Sequence, residues 1–551
     1  MNRSAPFSPP RSFSALTAWR SASLSRRLST LLFALLTAFV FLTFRHYGLS
    51  NDEEVQHHYG QLLLDFYLSG FNDLSAFSYK NLYLYGGLFD LIAASFERVF
   101  HTSDVWELRH LLSGLFGLVG MAGAWQLARQ LGGERVALVT LVLLTLTGAW
   151  LGAIFTHTKD VPFAACMTWA LYYTTRVAER LPAPPLSLVA KLGIAVGCAM
   201  GLRVGAVFAV FYLLLTCAVA AMIYGATWPE RARFLWRSAL SLIPAGLIAF
   251  VLMAAFWPWS VMAPNNLYTA ASTFSHFDFP LYTILDGQIY RMGDVPGYYL
   301  SYYLLVRLPE LLLLGVLAAA LFGAQAALRF KRTPETQSRF IVLLPLLLAV
   351  VFPLAFTLIT VPALYNGIRH FLFIVPPLAV LSAIGLCLSW RMIRARAPRI
   401  TGALVLALCG VLALDPLITL TRLHPYEYVY YNRLVAGGMA HAVERWEVDY
   451  WSSSLREASL QLNAYVAHEN RPRVTYEVAI CAEPIQGDAY LNERFRVTRD
   501  WHRADFFITA LYQGCENAMK GPIIATVSRM GVPLAIVRDR RDLRGADRTP
   551  K

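Results

Sequence analysis

Runs of about twenty apolar residues recur between Leu31 and Leu420, and each is long enough to cross a hydrocarbon core of about 30 Å as a helix. Inside lipid a backbone must satisfy its own hydrogen bonds, which restricts this part of the chain to a helical bundle. The 551 residues are 56% hydrophobic and only 15% charged, a balance that excludes an ordinary soluble protein. The formal net charge of +13 does not point to a nucleic-acid partner. Most of the Lys and Arg residues lie in short loops between the apolar runs, where they set orientation. From Arg422 onward the composition is that of a soluble domain.

These features predict an all-α polytopic membrane protein with a small C-terminal α/β soluble domain. Residues 1–28 carry Arg3, Arg11, Arg20, Arg26 and Arg27 among Ser, Pro and Ala and read as a disordered basic cytoplasmic tail. A first span follows from about Ser29 to Phe44; no A-x-A site succeeds it, so it reads as a signal anchor. Arg129 and Arg135 flank a Gly132-Gly133 turn that belongs in the cytoplasm. Only one crossing then fits between the first span and that turn, and residues 107–130 supply it. Residues 83–100, interrupted by Asp90, Glu97 and Arg98, are expected to lie on the outer face as a helix. Further spans are expected at 135–155, 161–179, 187–201, 204–224, 238–257, 300–327, 340–360, 371–389 and 400–420, about eleven transmembrane helices in all. Residues 187–224 also fit one long kinked segment; two short spans keep the parity. The membrane domain is then 29–421 and the extracytoplasmic domain 422–551. Every internal loop is basic, as at Arg231, Arg233 and Arg237 or at Arg391, Arg394, Arg396 and Arg399.

This orientation places Asp52, Glu53, Glu54, His57 and His58 just outside the first span. Carboxylates beside a membrane lose hydration, and a chain tends to keep them there for a partner, a metal or a reaction. The same residues also suit a solvated helix start with harmless i,i+4 pairs. On the same side fall Lys80, the stretch Thr156-His157-Thr158-Lys159-Asp160, Arg203, the loop Pro258 to Gly297 with His276, Asp278 and Arg291, and the turn Tyr365 to His370. Each has a plain structural explanation: Asp160-Val161-Pro162 is a good helix start, and Arg203, Arg369 and His370 suit helix ends at an interface. Together they describe carboxylates facing cations across an external cavity. Such a cavity suits an anionic lipid headgroup, with cations on the phosphate and a carboxylate left for acid–base work.

The Asp52-Glu53 pair after the first span, the basic residue ahead of an amphipathic helix, and His157-Thr158-Lys159-Asp160-Val161-Pro162-Phe163-Ala164 resemble the GT-C glycosyltransferases. Pro296-Gly297-Tyr298-Tyr299-Leu300, Leu308-Pro309-Glu310, and Arg369-His370 ahead of Pro376-Pro377 extend the likeness over roughly residues 30–420. The chain is most similar there to the family 39-like branch of protein O-mannosyltransferases and lipid A aminoarabinose transferases. The resemblance implies a polyprenyl-phosphate-linked sugar donor, held in the bacterial inner membrane at its outer face. The acceptor would be a lipid such as lipid A, a polysaccharide or a protein. It also implies Asp52 as catalytic base, Glu53 as its neighbour and Asp160 as a second essential acid. Lys80, Arg203 and Arg369 become phosphate ligands, with His157, Lys159 and His370 completing the substrate-binding set. Lys80-Asn81-Leu82 stands where relatives often have Lys-Pro-Pro, and Glu54 is extra, departures that bear on substrate subtype. No HExxH-type spacing supports a metal site at His57, so no obligatory metal and no cofactor are expected. Two other classes compete: a flippase or transporter of lipid-linked sugars, and a non-catalytic subunit for envelope assembly. A transporter usually carries midplane ionisable groups and repeated halves, and the sequence displays neither.

In the soluble domain a helix is expected at 453–467 and strands at 474–478, 495–498, 506–511, 523–527 and 534–538. The string His424 to Asn432 and the stretch Val448-Asp449-Tyr450-Trp451 are rich in aromatics. They are expected to rest at the bilayer interface, with sugar stacking as the alternative. Five of the seven cysteines fall in apolar segments; Cys481 and Cys515 alone lie in the soluble domain. They would bridge if that domain is exported and stay reduced if it is not.

Overall fold

The computed structural model describes residues 15–102, 104–275, 281–396, 398–468 and 474–543. His276 and Asp278 of the long loop lie outside them, as do residues 1–14 of the predicted tail. The first helix begins at Ala15, so residues 15–28 are helical where a disordered tail was expected.

Among the described residues, eight helices are long and apolar enough to cross a membrane, or nine if the bent pair Glu134–Thr145 and Gly148–Thr156 is one span. They are Ala22–His46, Val105–Gly132, Val204–Tyr224, Trp228–Phe256, Glu310–Leu328, Pro334–Thr360, Arg369–Arg396 and Arg399–Leu423. The expected count of about eleven is therefore too high, for three separate reasons. The 135–155 segment bends by 72°. The 161–179 segment forms Asp160–Ala178, which carries Asp160, Arg176 and buried Thr168, Thr174 and Thr175 inside the bundle. The 187–201 segment forms the 15-residue helix Leu186–Met200, which at 1.5 Å per residue reaches only about 22 Å. The expected 300–327 span is also divided, into Tyr299–Arg307 and Glu310–Leu328, because Pro309 interrupts the helical ladder. Residues 83–100 yield the 13-residue helix Leu88–Phe100, too short to cross.

Burial sorts the long helices. The apolar window of Arg369–Arg396 is 72% buried by protein, whereas those of Ala22–His46, Trp228–Phe256, Glu310–Leu328 and Arg399–Leu423 are 17% buried. The first is the centre of the bundle and the other four present apolar faces outward. The second arm of the bent pair packs closely against the chain beyond the last span. Gly148 and Gly152 lie directly under residues 427 and 428: a Cβ on Gly152 would come within 2.1 Å of the Tyr428 nitrogen, and one on Gly148 within 2.5 Å of the Glu427 oxygen. Only glycine permits that approach.

The strands β1 (Tyr282–Leu285) and β2 (Gln288–Arg291) form a hairpin in the long loop that precedes Tyr299–Arg307. The C-terminal domain contains β3 (Tyr476–Cys481), β4 (Phe495–Val497), β5 (Phe506–Ala510), β6 (Ile523–Arg529) and β7 (Val532–Asp539), in the order β4-β3-β5-β7-β6. β3 runs parallel to β4 and β5, and β7 antiparallel to β5 and β6. All five strands and the helix, Leu455–Ala467, match the expected positions. The aromatic string departs from expectation. Tyr426, Tyr428, Tyr430, Tyr431, Tyr450 and Trp451 are all buried, in one apolar core continuous with the bundle, so they fill the junction between the two domains instead of resting at the bilayer surface.

Cys481 and Cys515 are joined as a disulfide across 6.0 Å between Cα atoms, leaving the other five thiols free. Alkylation of the denatured, unreduced protein is expected to count five thiols, and seven after reduction. A count of seven without reduction would show the bridge unformed.

Candidate active site

The site begins where the first helix ends and the helix Glu53–Leu68 starts, with Asp52 as its N-cap. Its position is held from the C-terminal domain. The Gln486 side-chain amide donates to the carbonyls of Leu49 (2.8 Å) and Trp451 (2.9 Å), Asn51 donates to the Tyr450 carbonyl at 3.2 Å, and the Tyr490 hydroxyl accepts from the Leu49 amide. The turn that presents Asp52 is therefore built from residues more than 390 positions apart.

The three predicted acids have different surroundings. Glu53 is fully buried; it accepts from the Ser50 amide at 2.7 Å and pairs with His110 at 3.1 Å. Asp160 is buried and ion-paired with Arg203. Asp52 keeps 44% of its side chain exposed and faces the buried Arg369 guanidinium at 3.7 Å. Glu54 is exposed on the next position. His57 turns toward Glu97 at 3.6 Å and away from the Asp52-Glu53 pair; burial holds it down at about 4, below the ordinary histidine value, with Arg109 and His58 adding to the effect.

The cations converge on Tyr85. The Lys159 ammonium sits 3.9 Å from the centroid of that ring and the Arg203 guanidinium 5.9 Å from it, each contact contributing about 0.5–2 kcal/mol. Tyr85 is pinned next to Arg203 by backbone bonds, from Gly86 to the Leu202 carbonyl, from Leu88 to the Gly201 carbonyl and from Gly87 to the Phe256 carbonyl. Gly86 is required here, since a Cβ would come within 2.1 Å of the Gly201 oxygen. Burial lowers the Lys159 pKa from the ordinary lysine value, while Asp52, Asp90 and Asp160 pull it back up. Arg369 lies between Tyr365 and Trp451, 4.6 and 4.5 Å from their ring centroids, and donates to the Tyr365 hydroxyl at 2.6 Å.

Of the remaining expected ligands, His157 is occupied by protein. The Trp451 indole N–H donates to its Nε2 at 2.9 Å and the Tyr450 hydroxyl lies 2.8 Å from the same atom. Indole can only donate, so Nε2 is an acceptor and Nδ1 carries the proton toward the Thr156 hydroxyl at 3.0 Å. Burial, followed by Arg369, Arg307 and Arg203, keeps this ring well below the ordinary histidine value and neutral. His370 packs against Tyr365 at 4.8 Å. Lys80 is exposed, its ammonium 5.7 Å from the Tyr79 ring centroid.

Several residues here escape a reading of the sequence. Tyr85 is an ordinary aromatic in a run of aromatics. Arg307, fully buried over Tyr431 at 4.5 Å, appears in sequence as one basic residue inside an apolar segment. Asp90 forms a buried 2.7 Å pair with Arg109, and its break in the apolar pattern was the only signal. The arrangement as a whole offers an open carboxylate, Asp52, and three clustered cations at the junction of bundle and soluble domain, a combination suited to holding a phosphate while removing a proton nearby.

The family model described as dolichyl-phosphate-mannose-protein mannosyltransferase matches residues 88–259, which include Tyr85's neighbour Leu88, Lys159, Asp160 and Arg203. No curated protein sequence matches the chain. Among solved structures, the apo oligosaccharyltransferase of Archaeoglobus fulgidus superposes with a TM-score of 0.50 at 12% identity, over 92% of this chain and 75% of its own. ArnT from Cupriavidus metallidurans bound to undecaprenyl phosphate covers 95% of this chain and 99% of its own, at 13% identity and a TM-score of 0.49. The Saccharomyces cerevisiae protein O-mannosyltransferase Pmt1-Pmt2 complex bound to the sugar donor covers 47% and 38%, at 19% identity and a TM-score of 0.32. With its helical membrane bundle, its small α/β domain and the matched segment through Asp160 and Arg203, this chain has the GT-C glycosyltransferase fold.

Proposed function

We propose that the protein is a membrane glycosyltransferase that moves a sugar from a polyprenyl-phosphate-linked donor to an envelope acceptor, at the outer face of the bacterial inner membrane. The basic loops support a cytoplasmic N-terminus and an exported C-terminal domain, and the disulfide fits an exported domain.

One observation carries the reading. Of Asp52, Glu53 and Asp160, only Asp52 is open to an incoming acceptor, while Arg369 faces it and Lys159 and Arg203 gather on the neighbouring Tyr85 ring. In the reaction, the acceptor nucleophile attacks the anomeric carbon as its proton passes to the Asp52 carboxylate. The bond from that carbon to the phosphate oxygen breaks, and the polyprenyl phosphate leaves already anionic. Such a leaving group needs cations more than a proton, and buried guanidinium and ammonium groups stabilise charge more strongly than they would in water. Asp160 serves as a positioning residue that orients Arg203, and the His110–Glu53 pair positions the turn bearing Asp52. His157 positions Trp451, which in turn packs on Arg369.

The test is incubation of purified protein with a labelled polyprenyl-phosphate sugar in the presence of envelope lipid, polysaccharide and protein fractions. Transfer, or slow hydrolysis where acceptor is lacking, is the expected result. Movement of intact donor between leaflets, with no bond cleaved, would make the protein a flippase.

A further inference from the structure

A second cavity, of about 430 Å³, opens between the β1–β2 hairpin, the segment 443–449 and the loop 511–516, within the range of about 300–1,000 Å³ common for ligand sites. Its walls include Tyr282, Trp446, Glu447, Tyr512 and Glu516. The hairpin wall is fixed to the sheet domain: the Gln513 side-chain amide donates to the Tyr282 carbonyl at 2.6 Å. The loop wall is held by the disulfide at Cys515.

Two buried polar atoms on these walls have no hydrogen-bond partner, Oε2 of Glu516 and the indole N–H of Trp446, and beside them the Glu447 carboxylate interacts with the Thr283 hydroxyl and the Ile284 backbone. Glu447 and Trp446 are 4% and 1% exposed. A buried polar group without a partner is destabilising, so a ligand that satisfied these would recover that cost. The set contains acceptors and a donor side by side, between aromatic rings. A sugar ring matches it, since each hydroxyl both donates and accepts and the apolar C–H faces can lie on Tyr282 or Tyr512. An anionic ligand does not match, because three acidic residues, Glu447, Asp449 and Glu516, and no Lys or Arg line the cavity. An acyl chain would leave the Trp446 indole and Glu516 Oε2 unpaired. Burial also raises Glu447 to about 7 from the ordinary carboxylate range, although the Thr283 hydroxyl and the Arg307 and Arg369 charges oppose it, which marks this carboxylate as set in a low-dielectric wall.

The cavity is close to the transfer site. Glu447 and Trp451 are four residues apart, at most about 14 Å along an extended chain, and Trp451 packs on Arg369. We propose that this cavity is a neutral-saccharide subsite that holds a sugar of the acceptor beside Asp52. The word acceptor rests on the glycosyltransferase reading; the saccharide chemistry does not. Donor phosphate would sit on the cation cluster, apart from these carboxylates.

The experiment is saturation-transfer NMR on the full chain in detergent, using methyl glycosides of neutral hexoses and pentoses, and glucuronic acid as the anionic counterpart. It requires no turnover, so loss of transfer activity for another reason leaves it interpretable. Signal is expected from at least one neutral glycoside, persisting when undecaprenyl phosphate is saturating, and at least about tenfold weaker binding of glucuronic acid. Glu447→Ala should weaken the neutral glycoside by up to about tenfold, as loss of a hydrogen bond in a buried site does. Glu516→Gln, at a less buried position, should weaken it by a smaller factor and keeps the test available if Glu447→Ala does not fold. The thiol count and binding of undecaprenyl phosphate serve as controls for folding. The proposal is overturned if no neutral glycoside binds, if glucuronic acid binds equally well, if undecaprenyl phosphate displaces the glycoside, or if folded variants at both positions bind like the unsubstituted protein.

Discussion

Purified Asp52→Asn protein is expected to insert, fold and bind polyprenyl phosphate normally while transferring almost no sugar. The substitution keeps the size of the side chain and most of its hydrogen bonding but removes its basicity, and loss of a general base typically costs about 10²–10⁴ in rate. The fold should tolerate it, since the Asp52 side chain is 44% exposed and makes no cap hydrogen bond, while the helix start is secured by Glu53 through the Ser50 amide and His110. The comparison that matters is between rate and donor affinity. A loss of rate with donor binding unchanged supports the base assignment. Near wild-type transfer would remove it and move the role to an exposed neighbour such as Glu54, because Glu53 and Asp160 are already committed to His110 and Arg203.

Arg203→Met should behave in the opposite sense, losing both stability and donor. Asp160 is buried, and removing its partner leaves an uncompensated charge in the bundle, which costs about 3–5 kcal/mol. In the double variant Asp160→Asn with Arg203→Met both charges are gone, and most of the stability should return, as it does when a buried ion pair is replaced as a unit. Donor binding should stay weak in the double variant, since Lys159 over Tyr85 and Arg369 are then the cluster's remaining cations. Thermal unfolding in detergent and a binding isotherm for undecaprenyl phosphate separate the two effects. A double variant as unstable as the single would show that the pair is not what links Asp160 to stability. One that binds the donor tightly would remove Arg203 from the phosphate ligands.

The properties that act over a few residues were legible in the chain itself. Apolar run length gave the membrane class, and β-rich runs between turn residues gave all five strands of the C-terminal sheet. The charge of successive loops placed Asp52, Lys159, Asp160, Arg203 and Arg369 on one side, and the structure brings these five into one cluster. Hydropathy, propensity and loop charge are sums over neighbours in sequence, so they need no knowledge of the fold. The helix count failed where that logic fails. Asp160–Ala178 is surrounded by protein and so need not be uniformly apolar, while the segment after Glu134–Thr145 bends by 72° and its Gly148 and Gly152 lie against residues 427 and 428, far away in sequence.

The chain's own pattern thus determined what kind of solvent each segment meets, and therefore the bundle and the C-terminal domain, and it predicts that the charges share one side. Only the tertiary structure decided which carboxylate stays open, that His157 is occupied by Tyr450 and Trp451, that the aromatic string fills the domain junction, and that Glu447 and Glu516 share one cavity. Those outcomes depend on burial and on partners hundreds of residues away, such as Gln486 with Leu49 or Arg369 with Asp52. A side chain's exposure and its ion pairs are properties of the space it occupies, and sequence neighbours do not specify that space.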